Sequence, residues 1–486
     1  MIAFSVIFYM VMMLAIGYYS YKRTTNLSDY MIGGRTLGPA VTALSAGASD
    51  MSGWLMMGLP GAMFAAGISS GWIVVGLTIG AYFNWLYVAP RLRSYTEIAS
   101  NSITIPSFLG HRFRDTSHVI RLVSALVIII FFTFYVSSGL VSGAVLFNTT
   151  FGIGYHTGLW LILLVIVGYT LIGGFLAVSF TDFVQGLIMV TALTMVPVVT
   201  LWHSGGLGSS FTTIQTIDPA LLNIFTGTSV IGIISLLAWG LGYFGQPHII
   251  VRFMAISSVS EIKKSRRIGM SWMVFSEVGA MLTGLLGIAY FATHGLTLAD
   301  PETVFIELGK ILFHPIVTGL LISAILAAIM STISSQLLVT SSSLTEDIYR
   351  ILFHREAKDK ELVFVSRLCV LLVALLATYL AWTQNDTILN LVGYAWAGFG
   401  SAFGPVILLS LYWKRMNKWG ALAGMIVGSA TVILWEQFPT FAAVYEMIPG
   451  FIMGLLSIII VSLLTTEPSQ EILDEFAKSA AETKGN

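Results

Sequence analysis

Ser45 to Trp54 reads S-A-G-A-S-D-M-S-G-W, inside an apolar stretch from about residue 40 to residue 66. A run of that length can cross about 30 Å of hydrocarbon as a helix. Yet it carries a carboxylate, Asp50, between Gly47 and Gly53, and Gly58, Pro60 and Gly61 follow. Glycine costs about 1 kcal/mol per helix position relative to alanine and proline about 3, so this span is expected to unwind part-way across the bilayer. Asp50 then has two compatible readings. It can cap a half-helix starting at Met51 or Ser52. It can also face a cavity, an ion or a partner, because a charge near mid-membrane costs about 2.5–3.5 kcal/mol on insertion scales.

A second stretch, L-A-W-G-L-G-Y-F-G-Q-P-H at 237–248, has the same character: an apolar run thick with glycine and closed by proline. The frame around both is a membrane protein. Of 486 residues 56% are hydrophobic and 10% charged, against about a quarter charged in an ordinary soluble domain. Apolar runs such as 122–145 and 159–176 predict an all-helical bundle, since lipid offers the backbone no hydrogen bonds. Zero formal net charge argues against a nucleic-acid partner. The single cysteine, Cys369, rules out an intrachain disulfide or a Cys-cluster zinc site and reads as core packing. The first apolar run lacks a basic segment before it and a small-x-small cleavage site, and reads as a retained helix rather than a signal peptide.

Thirteen spans are expected, near 3–20, 40–66, 71–89, 121–147, 157–177, 184–203, 228–248, 270–292, 314–342, 363–382, 388–413, 419–436 and 447–465. Lys and Arg gather in alternate loops. One set holds Lys22, Arg23, Arg35, Arg91, Arg93, Arg112, Arg114, Arg121, Arg252, Lys263, Lys264, Arg266, Arg267 and further residues through Lys418 to Lys484, whereas the other holds only Lys310. The positive-inside rule therefore predicts the N-terminus outside and the C-terminus in the cytoplasm. The chain is expected to form one transporter domain over 1–466 with a polar, mobile tail over 467–486. The two interrupted spans lie five apart, so their helices run in opposite directions. A five-helix unit repeated upside down, spans 2–6 and 7–11, produces this, and paired broken helices mark the binding site of secondary transporters.

Unwound carbonyls beside Asp50 suit a small hard cation. The ninth span adds S-A-I-L-A-A-I-M-S-T-I-S-S at 323–335, with Ser331 and Thr332 beside the small Ala327 and Ala328. Such hydroxyls commonly bond to a carbonyl of their own helix. As ligands, two neutral hydroxyls with carbonyls favour sodium over calcium, which recruits several carboxylates. Trp54, Tyr135, Trp239 and Tyr243 can be packing or interfacial aromatics. Trp239 and Tyr243 bracket glycines within the second break, where they can wall an amphipathic solute. Gly240-x-Gly242-x-x-Gly245 matches a dinucleotide fingerprint only formally, for no strand precedes it. No P-loop is present, His111, His248 and His354 fall at expected cytoplasmic ends, and Arg35 is either an inner-loop charge or an inner gate paired with an acid.

The stretches G-G-R-T-L-G-P at 33–39, T-A-L-S-A-G-A-S-D-M-S-G-W at 42–54, G-Y-T-L-I-G-G-F-L-A-V at 168–178, W-G-L-G-Y-F-G-Q-P-H at 239–248, S-A-I-L-A-A-I-M-S-T at 323–332 and Y-A-W-A-G-F-G at 394–400 give the chain a resemblance to the sodium/solute symporter family. The longer matches point to its proline branch. The resemblance implies a LeuT-like five-plus-five inverted repeat and uptake of L-proline coupled to sodium in the cell membrane, with no cofactor beyond the coupling ion and no obligatory protein partner. It implies a sodium site from the carbonyls of Ala48, Met51 and Ala328 with the hydroxyls of Ser331 and Thr332. It further implies a solute pocket at Ser52, Gly58, Tyr135, Trp239, Tyr243 and Pro247, adjoined by Trp54, with Asp50, Arg35 and Asp182 in coupling or gating. Rival readings are another solute, proton coupling, an ion channel, and a membrane enzyme. Hydroxyls that do not titrate argue against a proton, and two dissimilar breaks in one chain argue against a channel filter.

Overall fold

The computed structural model describes residues 1–22, 26–383 and 386–483, and it is helical, with no strand among the described residues. Ten helical stretches are long and apolar enough to cross a membrane, and the bent pair Val230–Gly245 with Pro247–Ala255 makes eleven. One of the ten, Trp54–Ile98, holds two spans turned at Gly67–Gly71. The shorter apolar helix Tyr155–Gly168 supplies the last. That arrangement accommodates all thirteen expected spans, which keep their numbers below. Arg23 and Lys484 lie outside the described residues.

The fifth and sixth spans form one continuous helical stretch, Tyr155–His203, turned at Gly174 with φ 62° and ψ −175°. Only glycine adopts that backbone without strain, and an added Cβ would meet Tyr30 at 2.8 Å. Both predicted breaks are present. Span 2 runs as Pro39–Asp50, loses its winding at Met51 (φ −79°, ψ 75°), and resumes in the π-turn Trp54–Gly58 and Leu59–Ala66. Span 7 runs as Val230–Ala238, tightens to a 3-10 segment at Trp239–Gly245, and turns at extended Gln246 into Pro247–Ala255, a bend of 44°. Pro247 starts the inner half, where its missing N–H costs nothing.

The packing follows the inverted repeat. Span 2 lies against span 6, where Gly186 meets Leu44, and against span 8, where Gly47 faces Trp272. Span 7 repeats this against their counterparts: Gly242 faces Trp396 of span 11 (Ile388–Tyr412), and Gly240 faces Gly76 of span 3. Span 4 (Val119–Phe151) and span 9 (Pro315–Ser343) cross beside them, with Gly139 on Ile333. The approach of spans 3 and 7 is close enough to be tested. A methyl on Gly240 would sit 2.1 Å from the Gly76 carbonyl oxygen, a clash with main chain that no rotamer relieves. Overpacking of this kind costs about 1–3 kcal/mol or more. Gly240→Ala is expected to lower the thermal midpoint of the detergent-purified protein by several degrees; an unchanged midpoint would mean the helices separate freely.

The expected mobile tail is instead a helix over Gln470–Glu482. Its apolar side seats Phe476 against Tyr95, ring centroids 6.4 Å apart, and under the Arg112 guanidinium. Its acidic side pairs Glu471 and Glu475 with Arg114, and Glu482 accepts from Ser94 at 2.6 Å. Periodicity of 3.6 residues, invisible in a composition-based reading, puts those groups on the faces that need them.

Candidate functional site

The two breaks meet. Asp50 ends the inner half-helix of span 2 rather than capping the outer half, whose N-cap, Gly53, makes no side-chain bond. Its side chain is 2% exposed. Oδ2 accepts from the Tyr243 hydroxyl in the second break, and Oδ1 has no hydrogen-bond partner. A cavity of about 20 Å³, lined by Asp50, Met51, Asn84 and Tyr243 among others, adjoins the pair. The Asp50 carbonyl takes the Trp54 indole N–H at 3.2 Å, which folds the first turn of the outer half back over the break.

On the other side of the break four of the five expected sodium-site groups converge. Ser331 Oγ lies 2.7 Å from the Ala48 carbonyl oxygen and 3.1 Å from that of Ala328, and Thr332 Oγ1 lies 3.4 Å from Ala48. All four residues are buried. Met51 is buried at the unwound turn, three residues from Ala48, but none of its polar atoms bonds to the cluster. The donors are neutral oxygens at the C-terminal, partially negative end of a half-helix, near one carboxylate. That set fits a monovalent hard cation, and no group of three His, Cys, Asp or Glu side chains among the described residues could hold a transition metal.

The expected solute-pocket residues lie around the same breaks. The Tyr135 hydroxyl of span 4 lies beside Ser52 and closes no hydrogen bond. Ser52 Oγ accepts the Trp54 N–H at 3.4 Å. Gly58 sits where a Cβ would touch Leu389 at 3.4 Å. Trp239 stacks on Tyr445 at 5.4 Å and lines a vestibule of about 470 Å³ that Glu436 and Glu446 also line. Trp396, from the 394–400 motif, ties the wall together: its indole donates to the Trp239 carbonyl at 2.8 Å, and Tyr243 meets its ring edge-on. Trp396 and Tyr445 were not singled out from sequence.

On the side of the breaks toward Pro39 and Ala255 a buried ion pair ties the helices together. Asp182 (span 6) and Arg252 (span 7) form a fully buried ion pair at 3.2 Å. Ser45 Oγ donates to Asp182 at 2.7 Å and accepts from Arg252, which also donates to Ser335 and to the His248 carbonyl. One carboxylate thus joins spans 2, 6, 7 and 9. Sequence reasoning placed Arg252 among loop charges and His248 at a cytoplasmic end. Both are buried, and His248 lies edge-on to Tyr135 at 5.7 Å. The signal was available: Arg252 is five residues past Pro247, and at 1.5 Å per residue it cannot have reached the surface from mid-membrane.

Among the described residues Arg35 closes no ion pair with an acid. It donates to Asn101 Oδ1 at 2.9 Å, to Thr96 Oγ1, and to the carbonyls of Ser102 and Met254. Burial and the Arg93 charge lower its pKa to about 10, so it stays a cation at neutral pH. Beside it Leu37 N–H donates to Ala255 and the Leu37 carbonyl accepts from Ser257, a main-chain bridge between the segments flanking the inner ends of both broken helices.

Comparison with known proteins bears on the family and the fold. The model of the sodium:solute symporter family matches residues 30–428. The chain is 68% identical over 464 residues, 96% of its length and 98% of the other's, to the high-affinity proline transporter PutP of Bacillus subtilis. It is 52% identical to sodium/proline symporter 2 of Staphylococcus saprophyticus, covering 97% of this chain and 94% of that one. Among solved structures, a Na+-coupled sialic acid symporter in a substrate-bound outward-open state superposes with a TM-score of 0.82 at 21% identity, over 97% and 99% of the two chains. MhsT in complex with L-phenylalanine gives 0.54 at 13% identity, over 87% and 98%. These two show the fold, which is the LeuT-like five-plus-five inverted repeat. The extent of the family match and the identity to its curated relatives leave one assignment: this chain belongs to the sodium:solute symporter family.

Proposed function

We propose that the protein imports L-proline with sodium by alternating access around the two breaks. The observation that carries this reading is the convergence of the Ala48 and Ala328 carbonyls with the Ser331 and Thr332 hydroxyls a turn away from Asp50 and Tyr243. The names of the relatives, proline transporters at 52–68% identity, supply the solute. Sodium occupies the hydroxyl cluster, with the Met51 carbonyl completing it. Proline binds between the breaks, bounded by Tyr135, Trp239 and Tyr243 with Ser52, Gly58 and Pro247, Trp54 adjoining. Zwitterionic proline has no net charge, so the cation brings the electrical driving force. One charge moving through about 100 mV releases about 2.3 kcal/mol, enough for roughly 50-fold accumulation.

The Asp182–Arg252 pair and the Arg35 network close the inner side while the vestibule faces outward, and release of both ligands requires that they part. The positive loops support an orientation with the N-terminus outside and the C-terminal helix in the cytoplasm. The test is uptake of radiolabelled proline into proteoliposomes with and without an imposed sodium gradient. Uptake indifferent to sodium, or unaffected by excess unlabelled proline, overturns the reading. A second result separates the two sites. Trp239→Ala removes a ring that lines the vestibule and is expected to weaken proline affinity about tenfold, the size of one lost aromatic contact and its buried area. The half-saturating sodium concentration should move by less. The reverse ordering, measured by uptake kinetics over both ligands, removes Trp239 from the pocket.

A further inference from the structure

Glu277 lies in the middle of span 8 (Ile262–Thr293) and is fully buried. Its Oε2 accepts from Thr78 Oγ1 of span 3 at 2.9 Å, and its Oε1 has no hydrogen-bond partner. Met273 and Gly269, one and two turns inward on the same helix face, line the small cavity beside Asp50, and the Tyr243 hydroxyl approaches the Met273 sulfur at 4.0 Å. Glu277 therefore caps the outer end of the seam between spans 3 and 8 in which Asp50 and Tyr243 sit. The ionisable groups of that seam are Asp50, from span 2, and Tyr243, from span 7. Span 3 presents the neutral Thr78, and span 6 presents main chain, its Leu193 carbonyl against Gly279.

Two carboxylates share one apolar seam, and among the described residues Glu277 forms no ion pair, its one side-chain partner being Thr78. Both ionised would repel each other without water to screen them. Their surroundings differ. Asp50 ends a half-helix beside unwound backbone and receives the Tyr243 hydroxyl, whereas Glu277 sits mid-helix with a single donor. An unpaired charge there costs far more than a neutral carboxyl with one unused hydroxyl. We propose that Glu277 is a proton-binding site of the transporter, neutral in the state described here, so that Asp50 is the one negative charge beside the breaks. The proton exchanges with bulk water, and its loss at alkaline pH adds a second negative charge to the seam. This inference rests on the geometry of Glu277 and not on the identity of the solute.

Infrared difference spectroscopy on the purified, reconstituted transporter tests it directly. The wild type is expected to show the C=O stretch of a protonated carboxylic acid at neutral pH, lost on alkaline titration. The band should vanish in Glu277→Gln, persist in Asp50→Asn, and shift in frequency in Thr78→Val, which removes the hydroxyl donor and keeps its shape. Sodium-driven uptake by Glu277→Gln should stay within about threefold of wild type, because the amide reproduces the neutral acid, and it should lose the alkaline dependence of the wild type. A wild type without the band, a band that survives Glu277→Gln, or one that disappears only in Asp50→Asn overturns the proposal. Where Glu277→Gln yields no folded protein, the absence of a shift in Thr78→Val does the same.

Discussion

Ser331→Ala combined with Thr332→Ala is expected to raise the sodium concentration needed for half-maximal uptake by about 100-fold. A hydroxyl that ligates an ion contributes about as much as a hydrogen bond to a charged group, about 1.5–3 kcal/mol, and each 1.4 kcal/mol is tenfold. Replacing both would exceed that figure if the carbonyls of Ala48 and Ala328 did not remain. Alanine leaves each backbone carbonyl in place and removes little volume from span 9, so the helix should still fold. The double variant should reach near-normal maximal uptake at high sodium, with proline affinity falling only through its dependence on the cation. Initial-rate uptake across a wide sodium range reads this out, and an unaltered sodium curve would sink the assigned site.

The second large effect concerns Asp50. Asp50→Asn keeps an oxygen to accept from Tyr243 and is nearly isosteric, so membrane insertion should be preserved. What it removes is charge. A unit charge attracts a cation by about 4 kcal/mol at about 4 Å in a medium of effective dielectric constant about 20, and by more than about 1 kcal/mol at about 10 Å. Sodium-driven proline uptake is therefore expected to drop by about 100-fold, with protein levels in the membrane close to normal. The loss should appear in both maximal rate and sodium dependence, since the amide gives Tyr243 only a weaker, uncharged acceptor across the two broken helices. An Asp50→Asn protein that still accumulates proline in response to sodium at the ordinary rate would separate Asp50 from ion coupling.

What could be read in the chain and what could not divide along a physical line. The breaks were legible because glycine, proline and aspartate contradict a membrane helix on their own, whatever surrounds them. Span 9 was legible for the same reason, with hydroxyls beside alanines at helical spacing. Arg252, Trp396 and Tyr445 were not, because their meaning lies in partners about 70, 157 and more than 200 residues distant that no local pattern announces. Glu277 is the instructive miss. A carboxylate at the centre of an apolar span carries the same insertion cost as Asp50, yet a lone Gly279 and no proline stand beside it, so no break marks its place. The expected acid partner for Arg35 failed differently. A guanidinium has five N–H donors, and carbonyls and amides left over at the inner ends of helices satisfy them as readily as a carboxylate does.

The bridge between Leu37 and the 255–257 turn is made of main chain alone. Amide and carbonyl groups are common to every sequence, so drift in side chains leaves such a fastening intact, and selection acting on residue identity cannot loosen it by degrees. It is either joined or parted. Two main-chain hydrogen bonds of this kind make an all-or-nothing fastening between the two broken helices before any side chain contributes.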